Sequence, residues 1–200
     1  MTPTQLRDRA MHLAKEDPDA ALRLAREVPA PWFRAQALAA VARWIAAPNV
    51  ETTAAEALSA ASACHDDYQR AAVAAWPIRA LLERGHVDSA AAALAVARAR
   101  ALAATPCGSR AEALLGLLQA AWSLGAEARR TLVEDLCTAH EQDSFWRVTR
   151  ALADALAMVR ATEPDLTERI LARLPESPAR ARIERALARH AARTPRSYFA

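Results

Sequence analysis

Proline residues divide this sequence into segments that each have the length of one helix. At the start of four of these segments, a proline follows a residue whose side chain can cap a helix N-terminus. Proline suits the first helical position because its missing N–H would have no partner there, and its fixed φ matches the helix. The four pairs are Thr2-Pro3, Asp17-Pro18, Thr105-Pro106 and Ser177-Pro178. These prolines therefore predict helix starts.

The segments between the prolines are rich in alanine, the best helix former, and the whole chain has only four glycines. Gly85 and Gly125 follow helical segments and are expected at C′ positions. No window alternates β-branched residues for long enough to predict a strand. The sequence thus predicts an all-α chain of about eleven helices, spanning approximately 3–16, 18–28, 31–46, 50–64, 67–84, 87–103, 108–124, 126–140, 144–161, 164–174 and 178–193.

Pro77 does not lie at a predicted boundary, because it falls inside the helix predicted over 67–84, directly after Trp76. A proline in a helix interior removes one backbone hydrogen bond and costs about 3 kcal/mol. The apolar pattern nevertheless continues on both sides, through Val73 and Ile78. This pattern predicts one kinked helix instead of two helices.

An arginine recurs in the first turn of five long apolar segments, at intervals of 36, 40, 37 and 33 residues. A shorter helix is predicted before each of them. Two helices in a unit of this size resemble TPR and HEAT repeats, in which stacked helix pairs bury faces that one pair leaves exposed. The recurring residues are Arg34, Arg70, Arg110, Arg147 and Arg180.

This resemblance implies a right-handed α-solenoid of about five antiparallel helix pairs in a single domain, 1–200. An N-terminal helix would occupy 1–17, the helix pairs 18–193 and a C-terminal tail 194–200. The run from Gly85 to Leu94 resembles the start of a TPR helix, whereas a helix kinked at a proline is closer to HEAT, so both subclasses stay open. By fold analogy, such a chain is a scaffold or adaptor for a protein or peptide partner.

The recurring arginines need compensation, because a cation in the first turn opposes the helix dipole. Three of them follow an acidic residue by four positions, which can cap the helix and pair with the guanidinium. Arg70, Arg147 and Arg180 are therefore interpreted as structural, with Asp66, Asp143 and Glu176 as their partners. Arg34 and Arg110 lack such an acid and are candidates for binding an external anion.

The positive charge is concentrated towards the C-terminus. Residues 144–200 carry 11 basic and 6 acidic side chains, against 15 and 17 in residues 1–143. On the last predicted helix an arginine stripe follows one face at spacings of three and four, and it consists of Arg182, Arg185, Arg189 and Arg193. A polar outer face is what a terminal solenoid helix requires. A basic face also attracts nucleic acid, so a nucleic-acid-binding HEAT-like protein is the alternative function.

Apolar residues of the last helix, Ile183 and Leu187, are expected to pack against the helix predicted over 164–174. The tail after that helix is expected either to fray or to fold back, with Tyr198 and Phe199 as possible anchors. The five tryptophans lie at mostly apolar positions of the long helices. They are interpreted as core residues, of which one or two line a groove.

The sequence contains no motif for catalysis or metal binding. The run from Cys64 to Asp67 lacks the paired ligand spacing of a zinc site, and His140 has no second histidine at 144, where Ser144 stands. An enzyme without a recognisable motif stays a third hypothesis, for which Glu134 and Asp135 are the kind of carboxylates required. We expect no enzyme activity, no cofactor and no metal.

Three widely spaced cysteines, Cys64, Cys107 and Cys137, do not form a disulfide framework and indicate a reducing compartment. The N-terminal residues lack the apolar core of a secretory signal. No uncharged apolar stretch approaches the roughly 18 residues of a membrane span. We therefore expect a cytoplasmic protein without a membrane partner.

Overall fold

The computed structural model describes residues 1–189, 194–196 and 198–199. Within these residues there are eleven α-helices, two 3-10 turns and no strand, which confirms the predicted all-α class. The helices are α1 (Pro3–Leu13), α2 (Pro18–Glu27), α3 (Pro31–Ala42), α4 (Val50–Ser62), α5 (Asp67–Glu83), α6 (Val87–Ala103), α7 (Cys107–Ala120), α8 (Ala126–Gln142), α9 (Trp146–Val159), α10 (Pro164–Arg173) and α11 (Pro178–Arg189).

The predicted cap-then-proline signature is confirmed at three of its four positions. The side chains of Thr2, Asp17 and Ser177 each accept a hydrogen bond from the backbone N–H three residues later. Gln5 completes a capping box by accepting from the N–H of Thr2 at 2.8 Å. The prediction is wrong for α7, where Pro106 is itself the N-cap and no side chain caps the helix. Each confirmed cap satisfies one of the backbone donors that a helix start leaves unpaired.

One predicted helix extends too far because its apolar pattern continues into a 3-10 turn. The helix predicted over 108–124 ends at Ala120 and is followed by the turn Trp122–Leu124. Gly125, with φ of 112°, consequently precedes α8 and is not a C′ residue. Gly85, with φ of 80°, does follow the C-cap of α5 as predicted. The left-handed region strains residues that carry a Cβ, which explains glycine at both places.

One helix, α5, runs from Asp67 to Glu83 with Pro77 inside it. The prediction of a single helix across this residue is therefore confirmed, and the bend at Pro77 stays a prediction. Pro77 itself is buried. The packing of its neighbours Ala75 and Ile78, neither of which is exposed to solvent, offsets the lost backbone hydrogen bond.

The odd-numbered helices form a continuous row, in which α1 contacts α3, α3 contacts α5, α5 contacts α7, α7 contacts α9 and α9 contacts α11. The even-numbered helices pack against this row mainly through their odd-numbered neighbours. Alanine dominates the core, and many of these alanines, such as Ala35, Ala71 and Ala111, are completely buried. A methyl side chain lets helix axes approach closely, so the alanine content sets the tight packing of the odd row.

The last helix corrects one expectation. α11 packs chiefly on α9, and not on α10 as predicted, although Ile183 and Leu187 are buried. The reason is the alternation of the fold, in which each odd helix meets the previous odd helix. No helix within the described part of the chain is long and apolar enough to cross a membrane.

Candidate functional site

An open cavity of about 360 Å³ lies on one face of the odd row, across α3, α5 and α7. Each helix contributes large side chains at spacings of four, seven or eight residues, which place them on one helical face. We call this cavity the aromatic pocket and define it by Trp32 and Gln36 from α3, Tyr68 and Trp76 from α5, and Glu112 and Gln119 from α7. All of these residues except Gln36 are only partly buried.

Small residues between these large side chains create the depth of the pocket. Ala72 lies between Tyr68 and Trp76, and Gly116 lies between Glu112 and Gln119. Because Gly116 has no side chain of its own, another residue can reach the backbone of α7 at this point. An ideal Cβ built there meets the hydroxyl oxygen of Tyr198 at 3.7 Å, an ordinary contact distance.

The tail of the chain forms one side of the pocket, and the cavity is the space that remains beside the Tyr198 ring. Tyr198, which is 6% exposed, donates a hydrogen bond from its hydroxyl to the Gly116 carbonyl at 2.5 Å. Its ring meets Trp76 edge to face, with centroids 5.5 Å apart and an interplanar angle of 83°. Phe199 meets Trp76 in the same way, at 5.2 Å and 86°. Of the two outcomes predicted for the tail, the described residues therefore show that it folds back.

The Tyr198 phenol is held in its neutral form. Burial raises the pKa of this group well above its usual value of 10.0, and the positive charges of Arg196 and Arg79 oppose this only in part. A neutral phenol keeps its proton for the Gly116 carbonyl. An edge-to-face aromatic pair contributes about 0.5–1.5 kcal/mol beyond its buried area, so Tyr198 and Phe199 are anchors and not incidental contacts.

A fixed guanidinium covers the second ring. The Arg43 guanidinium lies 4.3 Å from the centroid of Phe199. Its Nε donates to Glu83 at 2.6 Å, and the Arg79 Nε donates to the other oxygen of the same carboxylate at 2.8 Å. Arg43 is thus oriented by Glu83 before it meets an aromatic ring, which favours a cation–π contact at this place.

On the opposite side, the surface extends from the pocket to α9 through Arg150. This residue donates to Glu112 at 3.1 Å, and its guanidinium lies 5.3 Å from the ring centroid of Trp146. Trp146 and its neighbour Phe145 are 48% and 54% exposed. Exposed aromatic residues beside an open pocket enlarge the area that a partner can contact.

The two arginines predicted to bind an anion do not line the aromatic pocket. Arg34 is half-buried and lines a different cavity, of about 310 Å³, together with Arg26 and Glu56. Arg110 donates through Nε to the Ala104 carbonyl at 3.3 Å and through a terminal nitrogen to Gln142 at 2.5 Å.

Three of the recurring arginines make the same contact. Each donates to the carbonyl six residues earlier, at the end of the preceding helix, and so closes the turn within one helix pair. The pairs are Arg70 to Cys64, Arg110 to Ala104 and Arg180 to Leu174. Arg147 differs, since it is exposed, covers the ring of Trp146 at 5.4 Å and packs its stem against Gly108.

The predicted acidic partners are used unequally. Glu176 pairs with Arg180 at 2.8 Å. Asp66 instead caps α5 by accepting from the N–H of Gln69, and Arg70 pairs with Asp67. Asp143 accepts from the backbone N–H of Phe145. An acid three or four residues away therefore has two competing uses, as a cap or as an ion-pair partner.

The arginine stripe of α11 is partly described. Arg182, Arg185 and Arg189 are exposed, and within the described residues no ion pair involves them. Arg193 lies outside the described residues. Because the three guanidiniums have no carboxylate partner among the described residues, this face of α11 keeps its positive charge there.

The carboxylates named for an enzyme without a recognisable motif, Glu134 and Asp135, both pair with arginines. Asp135 accepts hydrogen bonds from Nε and one terminal nitrogen of Arg98, and Glu134 accepts hydrogen bonds from Arg169 and Arg173. The described residues contain no group of histidines, cysteines and carboxylates suited to a metal ion. The cysteines are free thiols.

Comparisons with protein-family models, curated proteins and solved structures found no match to this chain. The pocket is therefore described from its own residues. Sequence reasoning named Tyr198 and Phe199 as anchors but did not place Trp32, Tyr68 and Trp76 in one pocket. The available signal was the spacing of Tyr68, Ala72 and Trp76, in which a small residue separates two aromatics on one face.

Proposed function

We propose that this chain is a helical-repeat scaffold, a right-handed α-solenoid of the TPR or HEAT kind, that binds a protein or peptide segment in the aromatic pocket. The succession of contacts along the odd-numbered helices supports this arrangement. The scaffold is expected to act in the cytoplasm, without a cofactor or a catalytic step.

The observation that carries the proposal is the tail segment packed against the open pocket. Tyr198 and Phe199 are already held there by ring contacts with Trp76, a hydrogen bond to Gly116 and the guanidinium of Arg43. These are the contacts by which a rigid groove takes a peptide, with an aromatic anchor in a pocket and polar groups at its rim. A surface that fits one peptide segment of the chain has the chemistry to fit a similar segment from a partner.

A photo-crosslinking amino acid in place of Gln119, at the rim of the pocket, tests the proposal in cells of the native host. We expect a polypeptide adduct that survives nuclease and weakens when Trp76→Ala is added. Glu168, which is exposed on α10, is the control position and should give no such adduct. Equal adducts at both positions would contradict the proposal. Adducts that form only when the same amino acid replaces Arg185, on the arginine stripe of α11, would also contradict it.

Nucleic-acid binding is the second candidate, supported by the exposed guanidiniums of Arg182, Arg185 and Arg189 on α11, with Arg34 and Arg110 as further anion contacts. It predicts affinity for RNA or DNA that falls steeply with salt, because each neutralised phosphate releases a counterion. The double substitution Arg185→Glu and Arg189→Glu should abolish that binding and leave the melting temperature nearly unchanged. Loss of several degrees with binding intact would identify the stripe as structural.

A further inference from the structure

We infer that the aromatic pocket recognises an adjacent tyrosine–phenylalanine pair, and that residues 198–199 act as an intramolecular competitor that a partner must displace. This inference rests on the proposed function, since it names the partner's chemistry at the same site. It follows from three features of the pocket and of the Arg43 surface beside it. There are two ring subsites that share Trp76, a hydrogen-bond acceptor in the subsite that faces the pocket, and a guanidinium in the other.

The two subsites share Trp76 but differ in polarity. In the first, the ring packs edge-on at 5.5 Å from Trp76 and its hydroxyl reaches the Gly116 carbonyl. Phenylalanine in this subsite would fill the same space without donating a hydrogen bond. The first subsite therefore favours tyrosine over phenylalanine, because the phenol adds a hydrogen-bond donor to the same ring.

The second subsite selects an aromatic ring and does not require a hydroxyl group. Phe199 is packed between Trp76, at 5.2 Å, and the Arg43 guanidinium, at 4.3 Å. Glu83 and Arg79 hold Arg43 in position whether or not a ring is present. An electron-rich ring face satisfies this cation, so an aromatic residue is favoured here over an aliphatic one.

A partner must compete with the chain's own segment. Residues 198–199 follow Arg189, the last residue of α11, by only nine and ten positions. A segment on so short a tether presents its rings at an effective concentration of about 1 mM. Any partner peptide therefore binds the intact chain more weakly than it binds an emptied pocket. Release of residues 198–199 becomes the step that controls access.

The test uses a fluorescent peptide with the sequence of residues 193–200, titrated into the full-length chain and into its Tyr198→Ala, Phe199→Ala double variant. Fluorescence polarisation should show binding to the double variant that is at least about tenfold tighter than to the unchanged chain, because the tethered competitor has been removed. A peptide with alanine in place of both rings should not bind. Adding Trp76→Ala to the double variant should abolish binding, and Arg43→Ala should weaken it about threefold or more.

Equal affinity for both proteins would overturn the inference, as would no binding to a double variant that still melts cooperatively. Should the double variant lose cooperative melting, Phe199→Ala alone empties the Arg43 side, and a gain in affinity below about twofold would then overturn it. The peptide assay needs no host partner. Crosslinking at Gln119 without peptide binding would leave the proposed function standing and remove only the tyrosine–phenylalanine specificity.

Discussion

The odd-numbered and even-numbered helices are held together by different forces. In the odd row, successive helices touch, and the core residues include many completely buried alanines. Between even-numbered helices, long charged side chains bridge the gaps, at Arg26–Glu56, Arg98–Asp135 and Arg169–Glu134. Short side chains allow helices to approach, whereas long ones span a separation that packing has not closed. The aromatic pocket lies in the row where packing leaves least freedom, which keeps its walls in place.

The largest expected effect comes from weakening the core of the odd row. Leu114 in α7 is completely buried, so Leu114→Ala should cost about 3 kcal/mol through lost burial and a cavity. For a chain of this size, thermal unfolding should then begin roughly 10 °C lower, since 1 kcal/mol corresponds to about 2–4 °C. Val96→Ala on α6, where the side chain is 66% exposed, is the control and should change the melting temperature by about 1 °C or less. Similar losses from both variants would remove the distinction between the rows.

A smaller effect is expected from the bridges between even helices, and it should depend on burial. Glu163, whose side chain is 3% exposed, accepts from Arg129 at 2.6 Å and from Arg130 at 3.0 Å. Glu163→Gln leaves these two cations without their carboxylate and should cost about 2 kcal/mol, as measured by urea unfolding.

The control for Glu163 is the more exposed pair between Glu56 and Arg26. Glu56→Gln should cost less than about 1 kcal/mol, because water screens the pair and competes for its hydrogen bonds. The cost at Glu56 should shrink further in 1 M salt, while the cost at Glu163 persists. The same salt dependence at both sites would show that burial does not separate them.

Among the even-numbered helices, α8 contains a buried titratable group, His140. This residue is 4% exposed, and its Nε2 has no hydrogen-bond partner within the described residues. Burial lowers the pKa of His140 from 6.5, against the opposing charges of Glu141 and Asp143. The folded chain then binds fewer protons than the unfolded chain near pH 6.5, so the free energy of unfolding falls as the pH drops below about 6.5. Melting temperatures from pH 7.5 to 5 should decrease, and His140→Gln should flatten that profile. An unchanged profile in the variant would contradict this assignment.

The smallest effect concerns the thiols and requires no substitution. Burial raises the pKa of Cys137 to about 11, and it also raises those of Cys64 and Cys107. Only the thiolate attacks a disulfide reagent, so at pH 8 the folded chain should react slowly, with the half-buried Cys107 first. All three thiols should react at once in denaturant. Rapid reaction of Cys137 in the folded chain would indicate that α8 opens.

The fold was largely predictable because its signals are local. A capping side chain followed by proline acts within one turn, which is why the starts at Thr2, Asp17 and Ser177 are confirmed. The prediction is wrong around Trp122, because an apolar residue in a 3-10 turn looks like one more helical position. Nothing in the local sequence distinguishes such a 3-10 turn from a further turn of α-helix.

The pocket was less predictable because it depends on contacts between distant residues. The sequence predicts Tyr198 and Phe199 as anchors only in the alternative in which the tail folds back. Their partner Trp76 could not be named, since the contact depends on how α5, α7 and the tail are arranged in space. The recurring arginines show the same limit, as their common bond to a carbonyl six residues earlier is clear only once the turn geometry is known.

Fluorine NMR on a chain with 4-fluorophenylalanine at position 199 tests most directly whether the aromatic pocket holds the Tyr-Phe segment. In the folded chain, the ring at 199 lies 5.2 Å from Trp76, so its resonance should be shifted away from the value in denaturant. Trp76→Ala should remove the shift, whereas Val96→Ala should leave it unchanged. Excess free peptide of residues 193–200 should move the resonance towards the denatured value by displacement. A resonance at the denatured position in the unchanged chain would contradict the account.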